Sequence, residues 1–211
     1  MNLIRRILYI GVLLSLSVGV AVAQAKKEGL KDDADIMALS LAENVTIPRV
    51  AKKQHESIRT HMYAMAKKLI DNGIKVESLR EGEVLVATIP TDELFAPNDS
   101  VLVDDMPEKL QSFTGFLVSN GMYKLLLAVH TDDTGSPEYS DQLSESRVYA
   151  VYDWFENKGF DMSYVVPYAM GATVALNPNN SRANRAANRR LEVYVVPEKT
   201  AVALAKAEKL K

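Results

Sequence analysis

Apolar residues gather first between Ile7 and Val22, an almost unbroken run behind Arg5 and Arg6. Polar sequence begins abruptly at Lys26. Residues 26–45 are charged and then weakly amphipathic, with Ile36, Met37, Leu39, Leu41 and Ala42 grouped, and Pro48 breaks the stretch. From Val50 to Asn72, the apolar residues Met62, Ala64, Met65, Leu69 and Ile70 recur at spacings of three and four, the period of a helix. Asn72-Gly73 then reads as a C-cap pair. Residues 26–78 are therefore expected to form a helical N-terminal extension.

The period changes after Glu83. Val84 to Ile89 predicts a buried strand ended by Pro90, and residues 105–119 predict a helix through Leu110, Phe113, Phe116, Leu117 and Val118. Tyr123 to His130 is the most apolar strand candidate of the chain. A turn rich in capping residues, Thr131 to Pro137, opens a long helix that runs to about Lys158 and closes at Gly159. Tyr164 to Met170 and Leu191 to Val196 predict two more strands, joined by a polar loop over Asn177 to Asn188. The order is β-α-β-α-β-β. Strands separated by helices imply parallel or mixed pairing. The expected fold is an α/β (α+β) two-layer sandwich over residues 79–197. It has a mixed four-stranded sheet with helices packed on it, and residues 198–211 form a C-terminal helical tail.

The first apolar run bears on compartment. Two arginines, an apolar core and the small residues of Ala21-Val22-Ala23 or Ala23-Gln24-Ala25 have the make-up of a signal peptide over residues 1–25. A short membrane anchor is the competing reading of the same run. Cleavage would leave about 186 residues, enough for one domain with an appended segment, and would move the net charge from −2 to −4. So mild an imbalance gives no reason to expect nucleic acid as a partner. The chain has no cysteine, which excludes a disulfide framework and an acylated cysteine within it. About four convincing strands are too few for a membrane barrel, which needs eight or more.

Catalytic chemistry finds little support. Thiol nucleophiles and thiolate metal sites are absent with cysteine. His55 and His61 are six apart and fall on different faces of a helix. His130 ends a strand beside Asp132 and Asp133, without a second His or Glu nearby in sequence to complete a metal site. No glycine-rich phosphate loop and no Gly-x-Ser-x-Gly elbow occur. No enzyme, cofactor or metal is expected.

One succession of residues carries a specific pattern. His130-Thr131-Asp132-Asp133-Thr134-Gly135-Ser136 is followed by Leu143, Ser144, Glu145 and Arg147, then Gly171, then Asn184-Arg185-Ala186-Ala187-Asn188-Arg189-Arg190-Leu191-Glu192. These blocks, within about residues 83–197, resemble the OmpA-like C-terminal domain. That domain is the peptidoglycan-binding module shared by OmpA outer-membrane proteins, the Pal lipoprotein and the flagellar stator protein MotB. The resemblance implies that Asp132 and Arg147 grip the diaminopimelate of the wall's stem peptide. Asp132 would accept from its ammonium, and Arg147 would present a planar fork to its carboxylate.

Thr134 takes the hydroxyl position of the turn and Leu143 the apolar position lining the pocket. Ser140 stands where the family has Asn, keeping one hydroxyl but losing an amide. In the loop Leu94 to Asp99, Ala96 replaces an acid common in the family, and Asn98 is a candidate substitute. Arg185, Asn188 and Arg190 are expected to support the site, with Arg182 and Arg189 solvated. Asn184 stands where the family usually has Gly, in a turn whose left-handed backbone it tolerates.

The expected protein is thus an exported, non-catalytic peptidoglycan-binding protein of a Gram-negative periplasm or outer membrane, tethering the envelope to the wall. Residues 26–75 would either cap the module's own sheet or meet an envelope partner or another copy. The competing expectation is a structural adaptor with a degenerate ligand site that assembles an envelope complex through those helices.

Overall fold

Every residue of the strand Tyr123–His130 is buried, so it must be covered on both faces. In a computed structural model, which describes residues 34–104, 107–119 and 121–210, this strand lies inside a five-stranded sheet. The expected signal segment, residues 1–25, falls outside the described residues. In chain order the strands are β1 (Lys75–Leu79), β2 (Val84–Pro90), β3 (Tyr123–His130), β4 (Val165–Gly171) and β5 (Arg190–Pro197), and the sheet order is β1-β2-β5-β3-β4. The last strand enters between β2 and β3 and is antiparallel to both, whereas β3 and β4 are parallel. Four strands were expected. The fifth, β1, is a short edge strand whose Lys75, Glu77 and Ser78 mask the alternation that would reveal it.

The helices are α1 (Leu41–Thr46), α2 (His55–Asp71), α3 (Glu108–Gln111), α4 (Thr114–Leu117), α5 (Pro137–Asn157), α6 (Arg182–Asn188) and α7 (Lys199–Lys206). The single helix expected over residues 105–119 is two short ones, and Val118 on its outer side is exposed. The polar loop expected between the last two strands contains α6, with Ser181 capping it through the Asn184 amide. Asn184 is therefore helical and not in a left-handed turn. Local chemistry explains the stronger helices. Ser40 and Glu43 form a capping box on α1. Ser136 accepts from the Tyr139 amide at the start of α5, where Pro137 presets the first turn.

The two faces of the sheet build two cores. Alternate residues Leu125, Leu127 and Val129 of β3 pack with Ala87 of β2 and Val193 of β5 beneath Ile58 and Met62 of α2, Val151 and Phe155 of α5 and Ala201 of α7. The intervening residues Leu126 and Ala128 pack with Val86, Val166 and Tyr194 beneath Leu41 and Val45 of α1. Each fully buried aliphatic or aromatic side chain contributes roughly 1.5–3 kcal/mol.

Residues around α1 are also pinned by polar contacts. The buried Asn44 donates to the Ile36 carbonyl and to the Tyr168 hydroxyl, each at 2.6 Å, and accepts from the buried Lys124 at 3.0 Å. Residues 36–46 therefore strap the second face, while α2 covers the first. Among the described residues no helix is long and apolar enough to cross a membrane.

Candidate functional site

The ends of three neighbouring inner strands meet at one end of the sheet. Arg190 pairs with Pro90 of β2 on one side and with His130 of β3 on the other. Arg189, one residue earlier, leaves the sheet between Asp92, just past β2, and Asp132, just past β3. Its Nη1 lies 2.8 Å from Asp132 Oδ2, while Nε and Nη2 reach the two Asp92 oxygens at 3.1 and 2.7 Å. Arg189 was expected to be solvated. It is instead the centre of a carboxylate–guanidinium–carboxylate bridge, because strand pairing delivers it between two acids.

Asp132 is 6% exposed and closes a turn through the Thr134 amide, which donates to Oδ1 at 2.8 Å. Burial works to raise its pKa, but the Arg189 and Thr134 hydrogen bonds outweigh that and hold it below the ordinary carboxylate range. The Arg189 fork likewise lowers Asp92. Arg189 in turn is raised, chiefly by its hydrogen bond to Asp92.

Arg147 comes from the middle of α5 and is 3% exposed. Its Nε donates to the Asp99 carbonyl at 2.7 Å and its Nη2 to the Ala96 carbonyl at 3.3 Å. The guanidinium lies over the Phe95 ring, 5.0 Å from its centroid. Burial lowers its pKa, opposed by the charges of Asp92 and Asp99. Arg147 thus holds the loop after β2 against α5, and among the described residues no ion pair joins it to Asp132. Its Nη1 keeps its donors unspent among those residues.

The other expected residues fall around these two. Thr134 is exposed in the turn, Ser140 is buried one turn into α5, and Leu143 is half-buried on the same helix. Asn98 is exposed at φ 58 in the loop that Arg147 grips. Asn188 is buried, accepts from the Leu176 and Asn177 amides, and donates to the Asn177 carbonyl and Asn179 Oδ1. Arg185 donates to the Asn179 carbonyl at 2.8 Å. Arg190 is buried against Glu192 Oε1 at 2.7 Å and also reaches the Asn188 carbonyl. These three order the segment leading into β5 and, through it, Arg189.

Sequence reasoning missed Asp92 and the pairing of Arg189, and it gave no contact to Ser144 or to Phe95 of the Leu94 to Asp99 loop. Ser144 Oγ accepts from the Gly171 amide at 3.0 Å, and the Gly171 carbonyl accepts from the Thr131 amide at 2.8 Å, so the end of β4 is tied to the Asp132 turn. The Asn-Arg-Arg block was the available signal for Arg189; Asp92 had none. His130 turns away from Asp132 and Asp133 onto the second face, 3.4 Å from Glu192 Oε2. Among the described residues no three His, Asp or Glu side chains gather where they could hold a metal ion.

Comparison with known proteins agrees with this architecture. The model of the OmpA family matches residues 94–189, the span that holds the loop, the Asp132 turn, α5 and the Asn-Arg-Arg block as far as Arg189. Over that span the chain is similar to an OmpA-like domain. The chain is 30% identical over 105 residues to the outer-membrane lipoprotein YfiB of Pseudomonas aeruginosa, covering 50% of this chain and 62% of that protein. It is 27% identical over 113 residues to the peptidoglycan-associated lipoprotein of Legionella pneumophila, covering 53% and 64%. The chain thus spans somewhat under two thirds of these relatives. Among solved structures, the cell wall anchor of the type VI secretion system of Pseudomonas aeruginosa is 26% identical with a TM-score of 0.55, covering 64% of this chain and 97% of that one. A MotB-like protein of Desulfovibrio vulgaris, at 24% identity and a TM-score of 0.60, covers 69% and 99% and shares the fold.

Proposed function

We propose that this protein is a non-catalytic peptidoglycan-binding protein of the Gram-negative envelope, in the periplasm or at the outer membrane, tethering it to the wall. Its ligand is the diaminopimelate of the stem peptide. The observation that carries this reading is the charge balance of the site. Two fixed carboxylates, Asp92 and Asp132, and two fixed guanidiniums, Arg147 and Arg189, suit a zwitterion such as the ammonium and carboxylate on one α-carbon of diaminopimelate.

Asp132 spends one lone-pair site on Thr134 and one on Arg189, leaving acceptor capacity for an ammonium. Arg147 offers Nη1 to a carboxylate while its other nitrogens are held still, so little freedom is lost on binding. Thr134 and Ser140 supply hydroxyls, Leu143 an apolar wall, and Asn98 an amide on the loop fixed by Arg147. The descriptions of the relatives as a peptidoglycan-associated lipoprotein and a cell wall anchor support the same ligand class. A protein partner or second copy meeting residues 26–75 would find Met37 and Ile70 as large exposed apolar side chains among the described ones.

Co-sedimentation with purified sacculi tests the reading. Wild type pellets with the wall, whereas Asp132→Ala and Arg147→Ala, each shown to be folded, remain in solution. Folded variants that pellet like wild type would reject the diaminopimelate grip. Release of soluble muropeptides during the incubation would reject a purely binding role.

A further inference from the structure

The opposite end of β3 carries a second concavity. A cavity of about 430 Å³ opens between α2, the α3–α4 segment and the chain after α7, and it shares no residue with the Asp132 and Arg147 site. The eight residues of β3 separate the two by roughly 25 Å. Its volume falls in the range of small-molecule sites, about 300–1,000 Å³. Met65, Phe116, Met122 and Leu204 give the lining its apolar part, beside the polar His61 and Tyr123, which hydrogen-bond to each other.

The mouth is cationic. Lys68 on α2 and Lys209 after α7 line it, both are exposed, and no Asp or Glu is among the lining residues. The neighbouring Lys67 is neutralised by Asp71 at 2.7 Å; Lys68 and Lys209 enter no ion pair among the described residues. The position of Lys209 is built. Its amide donates to the Leu204 carbonyl and that of Glu208 to Ala205, a Schellman closure that turns the chain and packs Leu210 back on the core.

We propose that this cavity binds an anionic amphiphile, an unbranched aliphatic chain ending in a single carboxylate or phosphate. The chain lies on the Phe116 and Leu204 floor and the anion sits between Lys68 and Lys209. An apolar bed under two unneutralised ammonium groups is complementary to that chemistry and to neither a cation nor a neutral polar solute.

Gly115 supplies a clean block. It lines the cavity, its backbone is not left-handed, and a Cβ built there meets nothing within 4 Å, so a side chain can be added at the cavity without a clash at its root. Isothermal titration of the full chain would use decanoate, decyl phosphate, decanol and decyltrimethylammonium as probes. Decanoate or decyl phosphate, or both, saturate wild type at submillimolar concentration, and which one binds more tightly identifies the head group. Decanol and the ammonium probe bind at least tenfold more weakly. Lys68→Glu with Lys209→Glu costs at least tenfold, and Gly115→Leu abolishes binding at unchanged thermal stability. Equal binding of decanoate, decanol and the ammonium probe, no saturation by either anion, or retained binding by folded Gly115→Leu overturns the proposal.

Discussion

Arg189, not Arg147, is the ion-pair partner of Asp132, with Nη1 and Oδ2 2.8 Å apart. The same guanidinium also grips Asp92 at 2.7 Å. A single residue at the mouth of β5 therefore sets the charge and position of the carboxylate proposed to meet the ligand.

Replacing Arg189 should unmask that dependence. In Arg189→Gln the burial that disfavours ionised Asp132 is opposed only by Thr134, so the Asp132 pKa rises from its depressed value. Side-chain carboxyl NMR titrations of the two proteins measure this. Because wall binding is proposed to need ionised Asp132, the acid limb of sacculus binding should move to higher pH in the variant. An unmoved Asp132 titration would show that Arg189 is not what holds it.

Acid stability should depend on the buried second face. Burial pushes Glu192 up, but His130, Arg190 and the Tyr194 hydroxyl prevail and bring it down to about 2. A carboxyl depressed in the folded state stabilises fully above its unfolded pKa, and that contribution is lost as pH falls toward the folded value. His130 is lowered by burial, so protonation of the unfolded chain below about pH 6.5 acts in the same direction. Urea unfolding of wild type should weaken steeply between about pH 6 and 2. Glu192→Gln should be less stable at pH 7 by about 3 kcal/mol and decline less.

A side chain at Gly171 should be destabilising. It sits at φ 50, and a Cβ there would lie 2.2 Å from Asp141 Oδ1. Gly171→Ala is expected to cost about 1–3 kcal/mol in denaturant unfolding. Adding Asp141→Ala removes the contact and should recover part of the loss, leaving the backbone share. Full recovery would mean that the backbone carries no strain.

The strap over the second face can be tested at Asn44. Asn44→Ala removes bonds to Ile36 and Tyr168 and one acceptor of Lys124, whose remaining described ionic partner is Glu198 at 3.6 Å. Unsatisfied buried polar groups make a loss of about 2–3 kcal/mol the expected outcome. Hydrogen exchange should show residues 36–46 opening before α2 does.

Glu208 offers a gain. It holds φ 57 at the left-handed position of the closure after α7, where glycine fits without a Cβ penalty. Glu208→Gly should raise stability by about 1 kcal/mol, measured by denaturant unfolding.

Much of this fold is legible because its strongest elements are locally consistent. Tyr123 to His130 is a run of mostly apolar residues that reads as an interior strand, and Ser136-Pro137 caps a helix whose second half carries the apolar positions Val148, Val151, Trp154 and Phe155. β1 escapes because an edge strand with Lys75 and Glu77 needs only partial burial. α6 escapes because an Asn- and Arg-rich helix with one buried residue has no apolar stripe. Within the site, the Asp132 turn is visible in its capping residues. Asp92 is not, since nothing in its neighbourhood predicts a partner 97 residues away.

By itself, then, the sequence determined the sheet strands from β2 onward, the cap of α5, and the presence of one acid and one guanidinium fifteen residues apart with OmpA-like surroundings. Only the tertiary structure decided which guanidinium each acid meets. The reason is register: β5 inserts antiparallel between β2 and β3, with Arg190 opposite both Pro90 and His130. That pairing lands Arg189 between Asp92 and Asp132, while α5 carries Arg147 instead to the carbonyls of Ala96 and Asp99. Strand insertion is a long-range choice made by the buried faces of the whole sheet, and no spacing along the chain encodes it.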